Sequence, residues 1–221
     1  MKNEGRLICI SDIHGCVYEL KNLIEQIKPT KNDKFVFLGD YIDRGGHVRE
    51  VILYLMKFKH DFPNTVLLIG NHEIMYTDAL SGAWDVASYI YNGGGTTLKD
   101  FPANDNKILL DFIGTLELYH ETEDFIFVHA GLSPMSFDNQ KENECFEETA
   151  LWIRGNFLNS NYDWGKVVVH GHTPGDSVVY KENRIGIDTG CVFGNFLTGL
   201  DLTNGKEYRS NVVKVDDKRK L

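Results

Sequence analysis

Apolar residues along the first seventy positions follow two periods in turn, one typical of strands and one typical of helices. Three short apolar runs predict buried strands: RLICI (6–10), KFVFL (34–38) and TVLLI (65–69). The segments between them, 15–28 and 47–59, carry apolar residues at helical spacing. Pro29 ends the first helix, and another helix starts near His72. This alternation predicts a sheet with crossover helices.

The rest of the chain is predicted to add further strands and looser helical structure. Residues 84–117 have helical character, interrupted at NGGGTT (92–97) by a flexible loop. The acidic segment 136–149 is poor in apolar residues and is predicted to be a surface loop or lid, followed by a short helix at 150–157. Further strands are predicted at 124–128, 166–170, 177–180, 184–188, 191–193, 196–202 and 206–210. Asn204-Gly205 predicts a hairpin turn between the last two strands.

No internal repeat or linker divides the chain. Residues 1–221 are therefore predicted to form a single domain, with a charged tail that frays from about residue 212. The pattern of elements predicts a mixed α/β (α+β) fold in which the two halves contribute two packed sheets rather than two domains.

Composition and charge narrow the class of function. With 42% hydrophobic and 25% charged residues the chain resembles an ordinary soluble globular protein. No run of eighteen apolar residues predicts a membrane span, and the N-terminus lacks the features of a secretory signal, so we expect a cytoplasmic protein. A net charge of −9 argues against binding along a nucleic-acid backbone. It does not exclude a phosphorylated substrate, because bound metal ions can make one pocket locally positive.

The four cysteines, Cys9, Cys16, Cys145 and Cys191, form no Cys-x-x-Cys pair. In a chain of this length we expect reduced thiols rather than disulfides. Without paired spacing, a zinc–thiolate site is not expected.

Five polar clusters follow predicted strands: SDIHG (11–15), GDYIDRG (39–45), GNHE (70–73), HAG (129–131) and HGHTP (170–174). Any one of them alone is more readily interpreted as a turn or a helix cap. Together they lie at the same ends of their strands, where ligand sites of α/β sheets gather. As a set they supply oxygen and nitrogen ligands that suit manganese, iron or zinc and suit calcium poorly.

These five motifs, in this order, resemble the phosphoprotein phosphatase branch of the calcineurin-like metallophosphoesterases. The likeness runs from residue 7 to about 193, and IDTGCVF (187–193) is similar to the compact bacterial and phage serine/threonine phosphatases. Ser11 stands where the family usually has glycine, and we expect little consequence from this difference. The resemblance implies a central β-sandwich of two mixed sheets flanked by helices, with the site at one edge.

The resemblance also implies two divalent metal ions, with Mn²⁺ the leading candidate and iron or zinc possible. Asp12, His14 and Asp40 would hold the first ion; Asp40 would bridge to the second, which Asn71, His129 and His172 complete. A water between the two ions would lose a proton and attack phosphorus directly.

Other residues of the same motifs would handle the substrate. Arg44, Arg154 and Asn71 would bind the phosphate, with the planar guanidinium forks matching its oxygens. His72 would protonate the leaving oxygen as general acid, and Asp43 would orient His72 and raise its pKa. The remaining residues that attract attention are expected to be structural: His170 at a strand end, Glu73 supporting its helix, and His47, His60 and His120.

The function implied is that of a metal-dependent phosphomonoester hydrolase, acting on phosphoserine and phosphothreonine proteins or on small phosphoesters. The alternative is a symmetrical dinucleoside-polyphosphate hydrolase, such as a diadenosine tetraphosphatase, which shares these motifs but is usually longer. A phosphodiesterase of the wider superfamily is disfavoured because Pro174 stands where such enzymes commonly have a further histidine. A non-enzymatic scaffold is disfavoured by the complete ligand set. We expect a monomer that binds neither nucleic acid nor membrane.

Overall fold

The strands of the first sheet come from both ends of the chain. The structure is a computed structural model in which residues 5–102 and 104–211 are described. Strands β1 (Leu7–Ile10), β2 (Lys34–Phe37) and β3 (Thr65–Leu67) are parallel neighbours. The hairpin of β9 (Thr198–Asp201) and β10 (Lys206–Arg209) lies antiparallel beside β1, which gives the order β10-β9-β1-β2-β3. Asn204-Gly205 lies in the turn of this hairpin, as predicted.

The second sheet is also mixed. Its centre is β5 (Phe125–Val128), β6 (Val167–His170) and β8 (Arg184–Gly186), which run parallel. The short strands β4 (Tyr119–Glu121) and β7 (Val179–Tyr180) close its two edges in the antiparallel sense, in the order β4-β5-β6-β8-β7.

Alternation of side chains along each strand builds three layers of core. Val36 in β2 points between the sheets, together with Phe127 in β5 and Val169 in β6. Their neighbours along the strands, such as Phe35 and Ile126, point outward beneath the helices. Strands buried on both faces explain why these runs are continuously apolar rather than alternating. The predicted sandwich of two mixed sheets with helices on both outer sides is confirmed.

Helices cover the outer face of each sheet. The bounds are α1 (Val17–Ile27), α2 (Val48–Asp61), α3 (Asn71–Ser81), α4 (Val86–Tyr89), α5 (Gly95–Asp100), α6 (Lys107–Ile113), α7 (Phe137–Lys141), α8 (Phe146–Trp152) and α9 (Gly155–Leu158). Helix α1 buries the apolar stripe that the sequence predicted and ends as Lys28 turns left-handed just before Pro29.

The glycine-rich stretch 92–97 is helical, so its prediction as a flexible loop was wrong. A single π-helical turn, Ile90–Gly94, follows α4 and leads directly into α5. Gly93 has a φ of 106°, a conformation that side chains other than glycine rarely adopt. The backbone of Gly93 is not helical, so the helical segments on either side of it meet at a kink, which explains how a loop-like composition gives a largely helical stretch.

Three other predictions for the second half were also wrong. The acidic segment 136–149 forms α7 and the start of α8, because Phe137 and Phe146 are buried in the outer core and anchor it. The predicted helix 150–157 is divided between α8 and α9 by an extended Ile153. Residues Cys191–Phe193 form a 3₁₀ turn rather than a strand, bounded by two left-handed glycines.

Within the described part of the chain, no helix is both long and apolar enough to cross a membrane. The tail predicted to fray from about residue 212 lies outside the described residues, and the single domain over 1–221 stays a prediction.

Candidate active site

The five polar clusters meet at one edge of the sandwich. SDIHG, GDYIDRG and GNHE follow β1, β2 and β3 of the first sheet, and HAG and HGHTP follow β5 and β6 of the second. The backbone N–H of His172 donates to both carboxylate oxygens of Asp12 at 3.1 Å, which joins the first cluster to the last. Gly171 directly precedes His172, and a Cβ at this position would lie 2.1 Å from an Asp12 oxygen. The close approach of the two loops therefore requires glycine here.

The backbone is strained where the predicted site residues lie. Among the described residues, six that are not glycine have φ in the left-handed region, and one of them is Lys28 at the end of α1. The other five are His14 (45°), Asp40 (53°), Asp43 (70°), Arg44 (66°) and His172 (65°). Each such residue costs on the order of 1 kcal/mol, and strain of this kind concentrates at functional sites.

Asp40 lies at the centre of the site. Its Oδ2 is 3.4 Å from His14 Nε2, and its Oδ1 is 3.5 Å from His129 Nε2. The backbone N–H of His72 donates to Asp40 Oδ1 at 3.1 Å, at the start of α3. Asp40 therefore presents one oxygen to each histidine, which is the arrangement expected of a bridging carboxylate.

A second group of potential metal ligands consists of Asn71, His129 and His172. Asn71 Oδ1 is 3.0 Å from His129 Nε2 and 3.0 Å from His172 Nδ1. Atoms of Asp40, His129 and His172 all lie within 4.8 Å of one another, as do atoms of Asp40, His14 and His72. Four predicted ligands, His14, Asp40, His129 and His172, thus fall into two groups that share Asp40, and the first group also contains His72. Asp12 belongs to neither group, although it accepts hydrogen bonds from the backbone of His172 and lines the same cavity.

Hydrogen bonds of the ring nitrogens test whether this set suits a cation. His14 Nδ1 is 2.8 Å from the carbonyl of Ile42, and His129 Nδ1 is 2.8 Å from that of Leu38. A carbonyl can only accept, so each Nδ1 carries the proton and each Nε2 presents a lone pair toward Asp40. Lone pairs and a carboxylate that face one another fit a divalent cation, and the backbone contacts are those of metal-ligating histidines.

The electrostatics also favour positive charge at this position. Burial, followed by the charges of Asp12 and Glu73, raises the pKa of Asp40 well above its ordinary value. Burial lowers the pKa of His129, and it lowers that of His172 to about 2, with His129 and Arg154 contributing. The histidines are therefore neutral, as ligands must be, while the buried carboxylates require a compensating cation.

Asp43 and His72 form a buried pair next to these donors. Asp43 Oδ2 is 2.6 Å from His72 Nδ1, and Tyr89 and Thr97 donate their hydroxyls to the other Asp43 oxygen. Burial raises the pKa of Asp43 to about 6, although the hydrogen bonds from Thr97 and Tyr89 act to lower it. Burial lowers the pKa of His72 well below its ordinary value, with Arg44 adding to the effect. The predicted pairing is present, but the predicted rise in the pKa of His72 is not.

Arg44 and Arg154 are exposed at the mouth of the site. Arg44 Nη1 is 2.6 Å from His14 Nε2, and Arg154 Nε donates to His172 Nε2 at 3.0 Å. Both arginines line a cavity of about 190 Å³ together with Asp12, His14 and His172. The ring of Phe193 packs under the Arg44 guanidinium at 5.5 Å.

Three further residues support the site, and of these the sequence predicted only Glu73, as a support for its helix. Glu73 accepts hydrogen bonds from the backbone N–H groups of Gly70, Asp40 and Tyr41, so it ties the loop after β2 to the start of α3. Asp188 lines the cavity, and burial together with Asp12 raises its pKa well above the ordinary value. Ser11 donates its hydroxyl to Asp12 Oδ1 at 2.7 Å, a contact that glycine could not make. The one signal in the sequence for Asp188 is its position as an acidic residue at the end of a short predicted strand, RIGID (184–188).

The other histidines lie outside the cluster. His170 is buried in β6 against the ring of Phe157, and burial lowers its pKa to about 4. His60 is exposed on α2, while His47 and His120 are half-buried away from the donors.

Comparison with known proteins agrees with this arrangement. The sequence model of the calcineurin-like phosphoesterase family matches residues 5–200. The asymmetrical bis(5′-nucleosyl)-tetraphosphatase PrpE of Bacillus cereus is 29% identical over 86% of this chain and 88% of its own length. The serine/threonine-protein phosphatase 4 catalytic subunit of Candida glabrata is 33% identical over 58% of this chain and 38% of its own.

The fold agrees as well. The crystal structure of a candidate diadenosine tetraphosphatase superposes with a TM-score of 0.72 at 20% identity, over 97% of this chain and 96% of that one. Since the family match extends over most of the sequence, the chain belongs to the calcineurin-like phosphoesterases, as its motifs predicted, and is an enzyme of that family.

Proposed function

We propose that this enzyme hydrolyses phosphomonoesters, with phosphoserine and phosphothreonine proteins as its leading substrate class. The observation that carries the proposal is the buried Asp43–His72 pair, at 2.6 Å, beside a donor cluster centred on Asp40. A histidine held in this way can give a proton to a leaving alkoxide, which is the requirement that distinguishes alkyl phosphate substrates.

The donor set fits a binuclear divalent centre of the kind used in this family. Asp12, His14 and Asp40 would hold one ion, and Asp40, Asn71, His129 and His172 the other. Mn²⁺ is the leading candidate, with iron or zinc as alternatives. When bound, the ions supply an activated water nucleophile and polarise the phosphoryl oxygens.

The chain's own residues bind and orient the substrate. Arg44 and Arg154 both line the cavity, where their guanidinium groups would hold the phosphate oxygens, and Asn71 would contact the same phosphate. His72 Nδ1 donates to Asp43, so Nε2 would protonate the leaving oxygen from the doubly protonated ring, a form that the Asp43 carboxylate would stabilise. Tyr89 and Thr97 fix the Asp43 carboxylate through hydrogen bonds to its other oxygen.

The first experiment measures hydrolysis of para-nitrophenyl phosphate with and without added Mn²⁺. We expect Mn²⁺-dependent activity that is lost in Asp40→Asn. The matched control, Asp111→Asn, alters an exposed carboxylate on α6 and is expected to retain activity. A protein that binds Mn²⁺ yet shows no Mn²⁺-dependent hydrolysis would contradict the proposal.

Hydrolysis of dinucleoside polyphosphates is the second candidate. The PrpE match covers 88% of that protein's own length, so the modest length of this chain does not argue against such a substrate. A second cavity of about 570 Å³ adjoins Arg44 and is lined by Ile90 and Lys99, which gives room and positive charge for a nucleoside and its phosphates.

Rates on a phosphoserine peptide and on diadenosine tetraphosphate, measured side by side at the same Mn²⁺ concentration, separate the two candidates. We expect a higher kcat/KM on the phosphopeptide. A reversed preference, reduced by Lys99→Ala only for the dinucleotide, would support the second candidate.

A further inference from the structure

Two cysteines from opposite ends of the chain meet beside the candidate active site. The sulfurs of Cys16 and Cys191 and a carboxylate oxygen of Glu19 all lie within 4.8 Å of one another. Nothing in the sequence spacing indicates this group, because the cysteines are far apart along the chain. None of the three belongs to the proposed binuclear centre.

The fold holds the three side chains on rigid supports. Cys16 directly precedes α1 and Glu19 lies in the first turn of that helix. Cys191 lies in the 3₁₀ turn Cys191–Phe193, which two left-handed glycines, Gly190 and Gly194, bound on either side. The arrangement is therefore set by two separate elements that the tertiary fold brings together.

Burial and access are both suited to a bound ion. Glu19 and Cys191 are 9% and 7% exposed, so a carboxylate and a thiol are held largely away from water. Cys16 is half-buried and opens onto a depression of about 580 Å³ that also borders Glu19 and Cys191. An ion could enter from this side, and solvent could supply a further ligand there.

The donor chemistry differs from that of the binuclear centre. Two thiols and one carboxylate favour a thiophilic ion such as Zn²⁺. The oxygen and nitrogen ligands around Asp40 do not favour thiophilic ions in this way and also suit Mn²⁺. The two sites are therefore expected to select different ions from the same mixture.

We propose that Cys16, Glu19 and Cys191 form a site for one thiophilic divalent cation. Binding displaces the protons of both thiols, and the two thiolates and the carboxylate coordinate the ion. The bound ion joins the Cys191–Phe193 turn to the start of α1. Because Phe193 packs under Arg44, it thereby fixes one wall of the candidate active site.

Cobalt provides a direct readout, because thiolate-to-Co²⁺ charge transfer absorbs in the near ultraviolet and no thiolate lies among the ligands proposed for the binuclear centre. The reduced, full-length protein is loaded with Mn²⁺ and titrated with Co²⁺, and Zn²⁺ is then added as competitor. We expect a charge-transfer band that saturates at one Co²⁺ per chain and is lost on addition of Zn²⁺. Absence of the band would overturn the proposal, whether or not the protein hydrolyses phosphoesters.

Serine variants assign the ligands. Cys16→Ser and Cys191→Ser are each expected to lose the band, whereas the matched control Cys145→Ser, at an exposed thiol on another face, keeps it. Circular dichroism confirms that each variant is folded before titration. A band that persists in both Cys16→Ser and Cys191→Ser would overturn the assignment.

A thermal measurement covers the case of a variant that folds poorly. Zn²⁺ is expected to raise the Tm of the Mn²⁺-loaded wild type and of Cys145→Ser, because a ligand that binds only the folded state stabilises it. Glu19→Gln, which keeps both thiols, is expected to show a smaller rise. An equal rise in Cys191→Ser and in the wild type would contradict the site.

Discussion

His72 combines two properties that together suit a general acid. Its Nδ1 is held by Asp43 at 2.6 Å, and its ring lies edge-on to His14, with the centroids 4.7 Å apart. One ring nitrogen of His72 lies within 4.8 Å of a carboxylate oxygen of Asp40 and of a ring nitrogen of His14. The role of the side chain can therefore be tested through the leaving group of the substrate.

His72→Asn is expected to reduce kcat on a phosphoserine peptide by roughly 10²–10⁴-fold. The loss on para-nitrophenyl phosphate should be much smaller, because nitrophenolate leaves without a proton. Steady-state kinetics on both substrates measure the difference, with the exposed His60→Asn as control. Equal losses on the two substrates would exclude His72 as the acid.

The buried carboxylate of Asp33 affects the stability of the fold rather than the candidate active site. Asp33 is buried and accepts hydrogen bonds from the Arg6 guanidinium, at 2.6 Å, and from the backbone of Arg6 and Thr30. Burial alone would raise the pKa of Asp33, but these hydrogen bonds lower it from 3.8 to about 2. Because the folded pKa is the lower one, the stabilisation is present above the unfolded pKa and is lost as pH falls through the folded one.

Asp33→Asn should therefore lower the free energy of unfolding at pH 7 by on the order of 2 kcal/mol. Urea denaturation at several pH values measures the difference between wild type and variant. The difference should shrink as pH falls below about 4 toward 2. A difference that stayed constant over this range would show that the Asp33 charge is not its source.

At this scale, sequence reasoning predicts the residues that lie within recognisable motifs, including Asp43 beside His72, and misses residues that only the tertiary fold brings to the site. Asp40 and His129 follow strands within recognisable motifs, and the structure brings them together with the other predicted ligands. Tyr89 and Thr97 lie outside the five polar clusters, and their contact with Asp43 depends on how the helices pack. The group formed by Cys16 and Cys191 was missed for the same reason.

Among the elements, the π-helical turn Ile90–Gly94 acts directly on the site. The carbonyl of Gly93 accepts a hydrogen bond from the backbone N–H of Arg44 at 3.0 Å. A Cβ at Gly93 would lie 2.6 Å from Arg44 Cγ. The turn therefore positions the arginine proposed to hold phosphate.

Gly93→Ala is expected to displace Arg44 and to strain the backbone, with a stability loss of about 1–3 kcal/mol and a raised KM for para-nitrophenyl phosphate. The matched control is Gly82→Ala, where φ is also left-handed at 80° but no atom lies within 4 Å of the added Cβ. The control should lose stability without a change in KM. A raised KM in both variants would show that backbone strain, and not the contact with Arg44, is responsible.

Helices and strands were predictable where the apolar periodicity and the residues that end an element indicate the same structure, as in α1 and β2. They were not predictable where the composition indicates a loop but tertiary packing forms a helix. Residues 136–149 have the acidic composition typical of a surface loop. Two buried phenylalanines, Phe137 and Phe146, nevertheless hold helices against the second sheet. Residues 92–97 include the glycines typical of a loop, yet one of them, Gly93, allows a close approach to Arg44 at a kink between two helical segments.

For the whole molecule, the layer between the two sheets is the packing that holds the sandwich together. Phe127 is fully buried there, with Val36 from the first sheet and Val169 in the same cluster. The class of fold follows from the order of strands and helices along the chain. The pairing of β9 with β1, which joins the two ends of the chain, depends on long-range contacts that the local pattern does not encode.

Phe127→Ala should destabilise the protein by about 3–5 kcal/mol, since it leaves a cavity between two sheets that cannot easily close. Chemical denaturation gives the value. Tyr91→Ala removes a side chain that is 92% exposed and should change stability by less than about 0.5 kcal/mol. Similar losses in the two variants would argue against a rigid layer between the sheets.

The distribution of the proposed metal ligands over both sheets has a consequence for dynamics. Asp12, Asp40 and Asn71 follow strands of the first sheet, whereas His129 and His172 follow strands of the second. Ions held by both groups would cross-link the sheets at one edge, so local opening of that edge would require their release. Chelation should then accelerate amide hydrogen exchange in the strands that precede these ligands, β1, β2 and β3 in the first sheet and β5 and β6 in the second, while exchange in the edge strand β10, which precedes none of them, changes little. The catalytic centre would in this way also set the rate at which the sandwich opens.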